Sequence, residues 1–218
     1  MNIHLCLHGI GRCENEREPG EGRYWVSEHT FLSLMDEVAS APGVVRLSFD
    51  DGNRSDAEIA VPALRERDLR ATFFPLAGRL ADPASLSGAD LREIRATGMS
   101  IGSHGWSHIS WRGLGGTDAM REFVDARLAL EAASGGRITE AALPLGRYDR
   151  DALQWLKGTG YRTVYTSDRY PSRPTSWLQA RYSLTSQDTV DSVMHMVRRG
   201  PGVAEARNLV ASGVKRIR

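Results

Sequence analysis

Two adjacent carboxylates, Asp50 and Asp51, end the apolar run Val44-Val45-Arg46-Leu47-Ser48-Phe49 and are followed by Gly52. Asp-Gly is a common turn pair, so a turn would account for them. Two partly buried neighbouring carboxylates, however, need a cation or a proton to coexist. A metal would supply the cation and leave one carboxylate as ligand and the other as base. Further along, His104-Gly105-Trp106-Ser107-His108 sets two imidazoles four residues apart. On a helix or tight turn that spacing brings both rings to one side, able to share an ion. His4 and His8 have the same spacing and act as a control. They fall in a strand pattern, where four residues span roughly 13 Å, and cannot chelate one ion together. A bare His pair is therefore more often a pair of solvated loop residues than a chelating site. Around the second pair, Gly102, Gly105, Gly113, Gly115 and Gly116 mark a loop after a strand, where chelation is open. Two imidazoles with one carboxylate leave coordination positions for water and substrate, as catalysis requires. Pro144-Leu145-Gly146 is either a turn or a fixed loop offering backbone N–H groups to an oxyanion. His195 falls in a helical pattern whose Val190, Val193, Met194 and Val197 form a core face, which makes it a helix-flank residue.

The elements that must position these residues alternate. Apolar runs predict strands at 3–7, 44–49, 71–76, 99–103, 141–145, 161–166 and 181–184. Between them, helical spacing appears after Ser27, with Phe31, Leu34, Met35 and Val38 on one face. It recurs at 59–69, 86–96, 118–133, 151–157 and 188–198. In the third of these later helices, 118–133, Met120, Phe123, Val124, Leu128 and Leu130 are expected on the apolar side. Strands alternating with helices imply a parallel sheet, open or closed into a barrel. In such folds ligands bind at the carboxyl ends of the strands. His8, Asp50, Asp51, His104, His108, Pro144 to Gly146, Asp168 and Arg169 all follow strands, so carboxylates and imidazoles gather at one rim.

The 218 residues suit a single domain, 1–218, with enough chain for a sizeable core. Lys+Arg number 28 against 27 Asp+Glu, and only Lys157 and Lys215 are lysines. A net charge of +1 gives no basic excess for nucleic acid. Two cysteines cannot build a disulfide framework, and the first residues lack a basic start and a long apolar run. No window approaches the roughly 20 apolar residues needed to span a bilayer. A reduced, cytoplasmic setting is the expectation. There is no Gly-x-Ser-x-Gly elbow, no Gly-Lys-Ser/Thr phosphate loop and no Cys-x-x-Cys pair.

Leu47-Ser48-Phe49-Asp50-Asp51-Gly52, then Ser103-His104-Gly105-Trp106-Ser107-His108, then Leu143-Pro144-Leu145-Gly146, resembles the polysaccharide deacetylase family in order and spacing. This is the NodB-homology group of carbohydrate esterases. Ala71-Thr72-Phe73-Phe74, Leu7-His8 and Val164-Tyr165-Thr166-Ser167-Asp168-Arg169 extend the likeness over roughly residues 3–185. The resemblance implies an irregular (β/α) barrel with about seven strands and metal-dependent removal of acetyl groups from sugars. By motif position, Asp51, His104 and His108 would hold the metal, usually zinc, with cobalt or nickel able to substitute. Asp50 would be the general base, and the backbone N–H of Leu145 an oxyanion donor.

Three features depart from the family pattern. The arginine that usually begins the third motif is Ala142 here; Arg147, Arg169 or Arg181 could replace it, and Arg169 is the expectation. The Trp-containing fourth motif is not recognisable, and Asp168 is the nearest carboxylate. The late Leu-x-His motif that provides the acid has only Val193-Met194-His195, so the acid is His8, His195 or protonated Asp50. The resulting expectation is a metal-dependent hydrolase acting on an N-acetylated amino sugar in a glycoconjugate precursor. A related hydrolase of another C–N bond and a non-catalytic carbohydrate-binding relative are the alternatives. Trp25, Trp106, Trp111 and Trp177 could stack on sugar rings, and the Arg-rich end at 215–218 reads as a solvated tail.

Overall fold

Strongly apolar runs such as Ile3–Leu7, all of whose side chains are buried, form the inner wall of a closed sheet. A computed structural model describes residues 1–41 and 43–218. In chain order its elements begin with β1 (Ile3–Leu7), β2 (Gly9–Ile10), β3 (Trp25–Val26), α1 (Glu28–Ser40) and β4 (Val45–Asp51). They continue with α2 (Val61–Glu66), β5 (Ala71–Pro75), α3 (Gly88–Ala96), β6 (Ser100–Ile101), α4 (Gly116–Met120) and α5 (Ala126–Ser134). The last are β7 (Glu140–Ala142), α6 (Arg150–Gly158), β8 (Thr163–Thr166), β9 (Leu178–Ser183), α7 (Val190–Arg199) and α8 (Val203–Ile217).

Seven strands pair in parallel in the order β6-β5-β4-β1-β9-β8-β7. The two edges meet through a parallel bridge between Ser103 and Ala141, in which the Ser103 N–H donates to Glu140 O and the Ala142 N–H to Ser103 O, both at 2.9 Å. The result is a nearly closed seven-stranded (β/α) barrel, as expected. Phe49 stacks on Phe73 with ring centroids 4.8 Å apart, and Phe31 of α1 meets Phe49 edge-on. Ser27 caps α1 by accepting from the Thr30 N–H, and Phe31, Leu34, Met35 and Val38 are buried as the spacing predicts.

Two expectations fail locally, and a third local feature carries no periodic signal. Met120 and Leu128 are exposed, while Ala119, Phe123, Ala126 and Leu130 are buried. A π-helical turn, Arg121–Asp125, separates α4 from α5. Its extra residue rotates the downstream face away from the phase of a regular helix. The Arg-rich end is not a solvated tail but the last turn of α8. Lys215 Nζ pairs with buried Asp168 at 2.6 Å, and Arg216 donates to the Tyr170 hydroxyl. The third concerns β2 and β3, a two-residue parallel ribbon between β1 and α1 that periodicity could not register. It needs Gly9, because a Cβ there would meet the Trp25 ring at 2.1 Å. Among the described residues, no helix is long and apolar enough to cross a membrane.

Candidate metal centre and cleft

The register of β4 on β5 sets Asp50 opposite Phe74 and Asp51 opposite Pro75, at the carboxyl end of the barrel. Successive strand residues point to opposite sides, but Asp51 leaves the strand with φ 73°. This left-handed turn aims both carboxylates at one cleft of about 460 Å³, which His8, His104, His108 and Leu145 also line. Asp50, Asp51 and His104 are almost wholly buried.

His104 Nε2 and His108 Nε2 lie 3.5 and 3.4 Å from Asp51 Oδ1. Donors about 2.1 Å from one divalent ion sit roughly 3.4 Å from each other in a tetrahedral arrangement. The far nitrogen of each ring is committed: His104 Nδ1 donates to Ala142 O at 2.9 Å, and His108 Nδ1 to Glu18 Oε2 at 2.6 Å. These bonds fix the tautomer that turns the Nε2 lone pairs inward. Asp51 Oδ1 is buried and accepts no hydrogen bond. Burial opposes its ionisation, but His8, His104 and His108 outweigh burial and hold it below the ordinary carboxylate value. Burial pushes His104 down to about 4, so its ring is neutral near pH 7. Two inward-facing Nε2 atoms and an unsatisfied carboxylate oxygen fit a divalent cation.

A second trio, Cys6, His8 and Asp50, also clusters within 4.8 Å. It fits a cation poorly. Burial raises the Cys6 thiol, so the thiolate that binds metal is withheld. Both Asp50 oxygens are already taken by Arg181, whose Nη1 reaches Oδ1 at 2.7 Å and Nη2 reaches Oδ2 at 2.6 Å. Arg181 is fully buried and also donates to Ser48 Oγ at 3.0 Å. Burial would raise the Asp50 carboxyl, but Arg181 and then His104 hold it well below the usual carboxylate range.

This corrects the expectation for Arg169. Its Nη1 donates to Ser183 O at 2.8 Å and its guanidinium lies 5.5 Å from the Tyr182 ring centre. The cation on Asp50 comes from the middle of β9, which neighbours β1 in the sheet. His195 lies on α7, beside Glu37 and Arg198 in a separate recess, so it cannot serve the cleft. His8 lines the cleft, packs on Tyr24 with centroids 4.9 Å apart, and has an unpartnered Nδ1. His4 lies at the opposite end of the barrel. Asp168 does not line the cleft; it accepts from the Tyr148 hydroxyl at 2.7 Å and from Lys215. None of Trp25, Trp106, Trp111 and Trp177 lines the cleft either, and its aromatic wall is Tyr24. Trp111 is wholly buried against Phe123, where its apolar area contributes more than on a rim.

Two supporting carboxylates escaped the sequence reading. Glu18 belongs to the loop between the ribbon strands and joins His108 to Arg79. Glu122 lies in the π-helical turn, wholly buried, and accepts from the N–H groups of Trp106 and Ser107 at 2.8 and 2.9 Å. It also accepts from Trp111 Nε1 at 3.3 Å, and so clamps the loop that carries both imidazoles. Gly105, with φ 85°, permits this approach: a Cβ would meet Glu122 Oε2 at 2.3 Å.

Residues 37–164 match the family described as polysaccharide deacetylase. The chain is 24% identical over 173 residues to YxkH of Bacillus subtilis, covering 79% of this chain and 57% of that protein. It is 28% identical over 127 residues to a chitin deacetylase of Colletotrichum lindemuthianum, covering 58% and 51%. The chain thus spans a little over half the length of these relatives. In fold it resembles the deacetylase PplD of Streptococcus pyogenes, whose structure is in complex with acetate. The TM-score is 0.79 at 19% identity, over 90% of this chain and 98% of that one.

Proposed function

Because the chain belongs to the polysaccharide deacetylase family, we propose that it is one catalytic domain, a metal-dependent hydrolase that removes the acetyl group from an N-acetylated amino sugar. The observation that carries this reading is the Asp51–His104–His108 trio, tautomers fixed and one carboxylate oxygen unsatisfied, beside an Asp50 that its arginine keeps ionised. Asp51, His104 and His108 would hold a divalent ion, with zinc the first choice for nitrogen and oxygen donors and cobalt or nickel able to replace it. Such an ion, when bound, polarises an acyl oxygen and acidifies water.

The chain's own groups supply the rest. Asp50 takes the proton of the attacking water as the water oxygen bonds to the acyl carbon. Arg181 holds that carboxylate in one orientation by its two parallel hydrogen bonds. A base held so acidic is weak, but it is fully ionised whenever substrate arrives. The Leu145 N–H, in a turn fixed by Gly146 N–H to Leu143 O and Arg147 N–H to Pro144 O, would donate to the developing oxyanion. His8, the imidazole at the cleft wall, delivers a proton to the departing nitrogen. The C–N bond then breaks to give acetate and the free amine.

The test pairs metal analysis with product detection. The wild type should carry about one divalent ion per chain and release acetate from an N-acetylated sugar panel. Asp51→Ala and His104→Ala should lose both. Wild-type metal content in both variants would end the proposal.

A further inference from the structure

Three arginines at the mouth of the cleft, Arg23, Arg147 and Arg169, lack any acidic partner. All three are exposed and line the same cleft as the metal centre. Among the described residues, none has a carboxylate within 4.0 Å, whereas Arg79, which lines the same cleft, is paired with Glu18. The two acids of the same rim are already spent. Glu18 serves Arg79 and His108, and Glu21 takes the guanidinium of Arg17 at 2.6 Å.

Two of the three arginines are also held in place by the backbone beneath them. Arg169 has φ 58°, a left-handed conformation that costs a non-glycine residue free energy. Its N–H donates to Arg181 O at 3.0 Å, and its carbonyl accepts from Asn208 Nδ2 at 3.2 Å. One edge of its guanidinium is engaged by Ser183 O and one face lies toward Tyr182, which leaves the other N–H groups unused. Arg147 follows directly on the left-handed pair Leu145 and Gly146, with φ 57° and 61°. A neutral chitin-like oligosaccharide would give these cations nothing to pair with.

We propose that the substrate bears an anionic oxygen group, phosphate or carboxylate, close to its acetamido sugar, and that Arg147 and Arg169, with Arg23 on the facing loop, bind it. This rests on the deacetylase reading and narrows it to acidic or phosphorylated amino-sugar conjugates. Guanidinium forks match both groups in a bidentate manner, so the assay must separate the two sources.

Acetate release and equilibrium binding are measured for the metal-loaded full chain with three probes: N,N′-diacetylchitobiose, N-acetylglucosamine 1-phosphate and N-acetylmuramic acid. At least one anionic probe should bind about tenfold more tightly than the neutral disaccharide, equivalent to one good charge-assisted contact. That preference should shrink with added salt and fall several-fold in Arg147→Gln and in Arg169→Gln. Arg137→Gln, an exposed arginine outside the cleft, should keep it. Preference for the phosphate or for the carboxylate identifies the source. Equal binding of neutral and anionic probes, or an equal loss in Arg137→Gln, would overturn the inference while leaving deacetylation intact. Arginine-dependent anion binding without acetate release from any probe would support the anion site and count against the deacetylase reading.

Discussion

Removal of Arg181 should damage stability and catalysis through the same pair of hydrogen bonds. Its guanidinium is fully buried, and both Asp50 oxygens accept from it at 2.6–2.7 Å. Truncating one partner of such a pair strands the other charge without water, which typically costs about 3–5 kcal/mol. For a chain of 218 residues, each kcal/mol moves Tm by about 2–4 °C. Arg181→Met should therefore melt about 6–20 °C below the wild type, and Asp50→Asn should fall in a similar range. In the double variant both charges are gone, so the cost should be well below the sum of the singles. Without Arg181, burial is the dominant influence left on Asp50, and its proton affinity rises. The acid limb of kcat/KM should then move to higher pH, which a packing defect alone would not produce. Thermal melts of the metal-loaded variants and pH–rate profiles of Arg181→Met and Arg181→Lys make the test. Additive melting losses together with an unmoved acid limb would refute the assignment of Arg181 as the residue that holds the base.

The remaining predictions concern the support of the site and the response to pH. Glu18→Gln weakens the acceptor on His108 Nδ1 and should lower metal affinity about 10–100-fold, read by competition with a chelating dye, with little change in fold by circular dichroism. Gly105→Ala should destabilise the chain by at least about 1 kcal/mol from its left-handed φ alone. Displacement of the Glu122 carboxylate should add to that loss, and metal affinity should fall in parallel. His4, far from the metal centre, is pushed down from 6.5 to about 4, chiefly by burial and then by Arg181. The unfolded chain takes up this proton near pH 6.5 and the folded chain only near 4. Stability from His4 is thus complete above 6.5 and lost as pH falls, by about 3 kcal/mol at pH 4. Urea melts of His4→Gln should show that much less acid loss than the wild type, and identical pH curves would refute it.

Much of the barrel and the core of the site can be read from the chain, because local signals carry them. The strand runs are mostly apolar, and the acidic and imidazole motifs lie within seven residues of the strand ends. What escapes reading is set by contacts distant in sequence. Arg181 meets Asp50 across 131 positions, and β9 reaches that neighbourhood only because it inserts beside β1 in the sheet. Arg147, Arg169 and Arg181 are alike in sequence; only the pairing order decides which guanidinium faces the base. Glu18 meets His108 across 90 positions from a loop with no periodicity. Glu122 did carry a local signal: a carboxylate in a helix otherwise apolar on that side. It is intelligible only once the π-helical turn has shifted the phase.

The distribution of backbone strain separates the site from the scaffold. Among the described residues, five that are not glycine have positive φ: Asp51, Asp68, His108, Leu145 and Arg169. Asp68 follows α2 in a turn, where a short acidic side chain tolerates this conformation. The other four all line the cleft. At each of them glycine would relieve about 1–2 kcal/mol of strain, and at three of them it would remove a proposed function. At Asp51 and His108 it would delete a metal ligand, and at Arg169 an anion-binding guanidinium. Leu145 differs, since the group proposed to act there is its amide, which glycine would keep. Its side chain is exposed, so relief of strain would come at little loss of core packing. A leucine retained under these conditions acts on what enters the cleft, as an apolar wall beside the oxyanion donor. Leu145→Gly should then keep the metal content and gain stability. It should raise KM for the acetylated sugar more than it lowers kcat, whereas equal loss in both would place Leu145 in the fold rather than in the binding surface.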